Sequence, residues 1–124
     1  MPAGGPGSTD EGFADRLAAV EERIAAACRA AGRAREEVTL VAVTKTRGDE
    51  EVLAAVRCGL RDLGENRVEE LEARREALCG TLPADVRWHM IGHVQSRKAA
   101  RVAAAAALVH SVDSVRLAER LDRA

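Results

Sequence analysis

The chain has 124 residues, within the range of one small domain, with 47% apolar and 31% charged residues and a formal net charge of −1. Interspersed charges of both signs offer no field for nucleic acid or an anionic membrane, and one Trp, one Phe and no Tyr leave almost no stacking platform for single strands. No apolar run approaches the roughly eighteen residues that span a bilayer, and Cys28, Cys58 and Cys79 are widely spaced, so neither a disulfide framework nor a zinc site is expected and a reducing cytoplasm fits.

Residues 1–7 are Pro/Gly-rich and lack the basic and apolar regions of a signal peptide, so residues 1–10 are expected to form a disordered tail. Thr9 and Asp10 offer cap oxygens to a first helix, in which Phe13, Leu17, Val20, Ile24 and Cys28 make one apolar stripe and Gly32 closes the end. A continuous apolar run over 38–44 predicts a first strand of the kind covered on both faces. A helix follows over 49–58, with Val52, Leu53 and Val56 facing inward and Gly59 ending it. The segment 60–64 is the weakest strand on pattern, because Arg61 and Asp62 interrupt it. Beyond it come a helix over 67–79 closed by Gly80, a strand over 86–91, an alanine-rich helix over 95–106 and a strand over 108–112. A final helix starts at Asp113 or Ser114 and carries Val115, Leu117 and Leu121.

A lead helix followed by four strand–helix units predicts a parallel α/β fold with right-handed crossovers. The strand centres fall near residues 41, 62, 89 and 110, the even spacing of a (β/α) barrel. A complete TIM-type barrel takes about 250 residues, so four units over residues 11–124 read as a partial barrel, the N-terminal half of one domain. The chain stops at its last helix, which is the expectation for a truncated barrel.

In such folds ligands meet the carboxyl ends of the strands. Here these ends are polar: Lys45, then Gly64-Glu65-Asn66, then Gly92-His93, then Ser111-Val112-Asp113. Seventeen of the nineteen basic residues are arginine, and only Lys45 and Lys98 are lysine. Arginine cannot give up its proton, whereas a desolvated lysine can attack a carbonyl to form a Schiff base. Lys45 therefore reads as a reactive amine, or as a strand-end lysine that snorkels to water. Asn66 and Asp113 read equally as helix caps, and His89, beside Trp88, as a satisfied core residue. No metal-ligand spacing, Ser/His/Asp set, phosphate loop or dinucleotide fingerprint is present.

Four blocks together carry a resemblance. They are Leu40-Val-Ala-Val-Thr-Lys-Thr46; Leu63-Gly-Glu-Asn66 continuing to Val68-Glu69-Glu70; Trp88-His-Met-Ile-Gly-His-Val-Gln-Ser96 with Lys98; and His110-Ser-Val-Asp-Ser114. In this order and spacing the chain resembles the pyridoxal phosphate homeostasis protein family, whose fold is similar to the barrel domain of alanine racemase. The resemblance implies that Lys45 holds pyridoxal 5′-phosphate as a Schiff base at the barrel mouth, with Asn66 near it. His110 and Ser111 stand in a shared motif and complete the candidate cofactor-binding set. Arg67 stands where the family commonly has an aromatic residue, and Arg97 where it commonly has asparagine.

The resemblance implies a carrier of pyridoxal phosphate in the cytoplasm, monomeric when intact and without turnover. A racemase-like enzyme is the alternative; it needs a second acid/base, which a tyrosine of this chain cannot supply because there is none. A third expectation is an inactive half-barrel whose open sheet edges promote self-association.

Overall fold

The computed structural model describes residues 6–44 and 48–124, and the side chains of these from residue 11 onward. Lys45 lies outside the described residues, as do Thr46 and Arg47.

Helix α1 spans Pro6–Ala31. It begins before the expected Thr9–Asp10 cap and takes in residues 6–10, since proline is accommodated in a helix's first turn, where its missing N–H has no partner to lose. A turn of 3-10 helix, Arg35–Glu37, follows. Then come β1 (Ala42–Val43), α2 (Asp49–Arg57), β2 (Asp62–Glu65), α3 (Val68–Ala77) and β3 (Arg87–Met90). A second 3-10 turn, Ser96–Lys98, leads into α4 (Ala99–Ala105), and β4 (Leu108–Val109) and α5 (Val115–Arg123) complete the described elements.

The four strands form one parallel sheet in the order β1-β2-β3-β4, with Ala42 opposite Leu63, Leu63 opposite Trp88, and His89 opposite Leu108. The fold class is therefore parallel α/β, as the strand–helix alternation predicts. Strand one is much shorter than the expected 38–44. The turn Arg35–Glu37, whose Arg35 donates to the Val38 carbonyl at 2.5 Å and to Glu21 of α1 at 2.7 and 2.8 Å, ends before the apolar run. Val38 is already extended, but only Ala42 and Val43 find ladder partners, Leu63 and Gly64 of the short β2. The ladder does continue past the formal ends: Thr44 N–H donates to the Gly64 carbonyl at 2.9 Å, and His110 N–H to that of Met90 at 2.9 Å.

β2, the weakest strand on pattern, is paired along both sides, and its polar residues have partners: Arg61 meets Asp85 and Asp62 meets Arg87. Helix α2 ends in a Schellman arrangement: Leu60 N–H donates to the Ala55 carbonyl and Gly59 N–H to that of Val56. That arrangement places Gly59 at φ 103°, which residues with a Cβ rarely adopt. Ser114 caps α5, its hydroxyl accepting from Leu117 N–H at 3.1 Å, so the choice between Asp113 and Ser114 falls to the serine.

The core lies on the helix-facing side of the sheet. Leu63, Trp88 and Met90 pack there against Val52, Leu71, Val102 and Leu117, all buried. Burial of each such side chain contributes about 1.5–3 kcal/mol. A cavity of about 510 Å³ is lined by Phe13, Leu17 and Val20 of α1 together with Leu40, Val43 and Leu60. No described helix is long and apolar enough to cross a membrane.

Candidate functional site

The carboxyl ends of β2, β3 and β4 are joined into one rim. Gly92, just past β3, lies so close to the backbone after β2 that a Cβ there would sit 2.1 Å from the Asn66 carbonyl oxygen. The Ser111 hydroxyl, just past β4, donates to the Gly92 carbonyl. Asn66 and Ser111 are both half-buried. The structure thus brings two of the four candidate residues to a continuous edge, with glycine as the joint because no side chain fits between the strand ends. Beside the rim a cleft of about 170 Å³ is lined by Asn66, Arg67, His93, Gln95 and Lys98.

β1 reaches this edge through Thr44, the residue that precedes Lys45 in the chain. Thr44 is buried, and its hydroxyl donates to Glu65 Oε2 and lies 3.1 Å from the Gly64 carbonyl. Glu65 is wholly buried on the helix-facing side of β2 and pairs with Arg74 of α3, whose Nε lies 3.4 Å from Oε2. Arg74 also donates to the Thr44 carbonyl at 3.1 Å and to Asp49 of α2 at 2.7 Å. β1, β2, α2 and α3 therefore converge on one residue at the end of β1. Glu65 Oε1, by contrast, is buried without a hydrogen-bond partner among the described residues.

The opposite face of the sheet carries a second polar chain, because strand side chains alternate between faces. His89, 2% exposed, has Nε2 2.8 Å from Asp62 Oδ1 and Nδ1 2.8 Å from His110 Nε2. Arg87 holds the same Asp62 oxygen at 2.8 Å. With neutral imidazoles the roles are fixed in sequence. Asp62 accepts, so His89 carries its proton on Nε2; His89 Nδ1 then accepts from His110 Nε2–H, and His110 Nδ1 is left as an acceptor. Burial raises the Asp62 carboxyl, but hydrogen bonds from His89 and Arg87 together outweigh it, and the group ends below the ordinary carboxylate range. His89 is thus the satisfied packing residue its setting predicts. His110 is exposed and joined to this face of the sheet through His89.

The remaining candidates are dispersed. His93 is exposed, 3.7 Å from Asp113. Lys98 reaches Glu69 of α3 at 2.5 Å, and that hydrogen bond holds the Glu69 carboxyl below its ordinary value. Among the described residues no group of histidine, cysteine and carboxylate side chains could hold a metal ion. Motif reading passed over Arg74 and gave Glu65, though it stands in the block over 63–66, no role of its own. The available signal was a glutamate inside a strand destined for burial, which requires a cation that the sequence does not place.

Fold and rim define a parallel α/β protein with a polar edge at its strand ends. No family model matches the chain. It is 42% identical over 115 residues to the pyridoxal phosphate homeostasis protein of Mycobacterium tuberculosis, an alignment covering 87% of this chain and 45% of that protein. Among solved structures, an unknown protein from Bifidobacterium adolescentis matches with a TM-score of 0.81 and 37% identity, over 94% of this chain and 50% of the other. PipY of Synechococcus elongatus, solved with pyridoxal phosphate bound, matches with a TM-score of 0.72 and 37% identity, over 89% of this chain and 46% of PipY. The chain is a homologue of the pyridoxal phosphate homeostasis proteins, as the four sequence blocks imply, and it spans about half the length of the curated relatives it matches.

Proposed function

We propose that this chain binds pyridoxal 5′-phosphate through Lys45 and serves as a carrier that stores and releases the cofactor without turning it over. The observation that carries the reading is the match, at 37% identity, to a protein solved with pyridoxal phosphate bound. The donor set fits such a ligand: an amide at Asn66, a hydroxyl at Ser111 and an imidazole at His110 lie just past the ends of the strands, on the side that β1 reaches at Thr44, the residue before Lys45. Asn66 and Ser111 would orient the polar ring substituents, and His110 would face the ligand from the β4 side. The neutral amine of Lys45 adds to the aldehyde carbon, a C=N bond forms and water leaves; hydrolysis reverses the step. Lys98 is a weaker competitor, because its side chain is already engaged with Glu69 of α3.

In this reading the four consecutive parallel strands are the first half of an eight-stranded barrel, and residues 11–124 are one structural unit, in a cytoplasmic protein. The test is absorbance titration with pyridoxal phosphate, with alanine added to the loaded protein. An imine band with no racemisation supports the carrier; racemisation would replace it with an enzyme.

A further inference from the structure

We propose that Glu65 and Arg74 are positioning residues for Lys45, acting through Thr44; this rests on the reading of Lys45 as the ligand-bearing lysine. Three observations converge. The Thr44 hydroxyl donates to Glu65, and Arg74 donates to the Thr44 carbonyl at 3.1 Å, so both polar groups of the residue before Lys45 are gripped. Arg74 and Glu65 are themselves paired, with side chains 12% and 0% exposed, so the grip is shielded from water. Asp49 at the start of α2 holds Arg74 at 2.7 Å, which ties in the element that follows the lysine segment. The last residue before Lys45 is thereby anchored to β2, and the next helix to α3.

The arrangement is poorly suited to stability alone. A buried ion pair commonly does no better than an apolar replacement of the same shape, and Glu65 Oε1 is buried with no hydrogen-bond partner among the described residues. Its effect falls instead on the end of β1, where it fixes Thr44, the residue before Lys45, against β2 and α3. A reactive group that must meet an aldehyde in one orientation gains from such fixing.

The test compares Thr44→Val, Thr44→Ser and Glu65→Gln with the parent chain. Thr44→Val keeps the shape and removes the hydroxyl; Thr44→Ser keeps the hydroxyl; Glu65→Gln leaves Arg74 its contacts with Asp49 and Thr44. Each is treated with pyridoxal phosphate and borohydride, and the Lys45 to Lys98 adduct ratio is read by peptide mapping. A parallel series uses formaldehyde and borohydride, which labels amines without the cofactor. Thermal unfolding is recorded for each. Thr44→Val and Glu65→Gln are expected to lower the Lys45 share by roughly tenfold in both series, the scale of cost for a misplaced reacting group, while Thr44→Ser matches the parent. Parent-like ratios in folded Thr44→Val and Glu65→Gln would overturn the proposal, as would a loss in Thr44→Val that Thr44→Ser shares. A parent chain without a Lys45 adduct from pyridoxal phosphate overturns the functional reading instead, and the formaldehyde series then decides the positioning claim by itself.

Discussion

His89 and His110 face each other nitrogen to nitrogen at 2.8 Å, with ring centroids 5.1 Å apart, and the far nitrogen of His89 rests on Asp62. The carboxylate, two strands away on β2, is thereby linked through His89 to an exposed imidazole just past β4.

Acid stability follows from this chain of contacts. The Asp62 carboxyl lies below its ordinary range in the fold, so its stabilising contribution is complete above that range and is lost as pH falls through the lower folded value. Asp62→Asn is expected to cost about 1–3 kcal/mol at neutral pH, the range for losing a charged hydrogen-bond partner, with the gap from the parent narrowing in acid. Urea unfolding at a series of pH values measures it; a pH-independent gap would contradict the assignment.

The junction of the rim is tested at Gly92. A methyl group there would meet the Asn66 carbonyl at 2.1 Å, and a rigid backbone cannot yield as a flexible side chain can. Gly92→Ala is expected to destabilise by about 1–3 kcal/mol, as overpacking does, and to weaken ligand binding by moving Asn66. An unchanged melting temperature together with unchanged binding would show that the strand ends are not in contact.

How far the sequence carried the reading differs by element. The helix over 49–58 is found almost as predicted, because an acidic first turn and a terminal glycine are local signals. The 38–44 strand is cut to Ala42–Val43 because only these two residues are paired by the short β2, and no local pattern reports how far a neighbouring strand reaches. β2 was hard to read because Asp62 is balanced by Arg87 and His89 on the neighbouring strand. The polar ends of the strands were legible from motif positions. The Thr44–Glu65–Arg74 grip was not, since its members lie on three elements and up to thirty residues apart.

Local capping offers a cleaner measurement. Ser114 accepts from Leu117 N–H, and Leu117 is buried under α5. Ser114→Ala is expected to cost about 1 kcal/mol, with increased hydrogen exchange confined to the first turn of α5. A loss spread through the sheet would mean the serine acts by another route.

The sheet edges predict association. Val43 on β1 and Leu108 on β4 are 49% and 47% exposed, and each strand is paired on one side among the described residues. Open parallel edges with apolar side chains favour pairing with another chain. Sedimentation velocity is expected to show concentration-dependent oligomers, reduced in a Val43→Lys, Leu108→Lys double variant. A monodisperse monomer at high concentration would rule this out.

The most direct test of the account is titration of the chain with pyridoxal phosphate, followed by borohydride reduction and peptide mapping. The account predicts an imine absorbance band and a reduced adduct at Lys45, with Lys98 and the N-terminal amine spared. No band, or adducts shared among those amines, would contradict it.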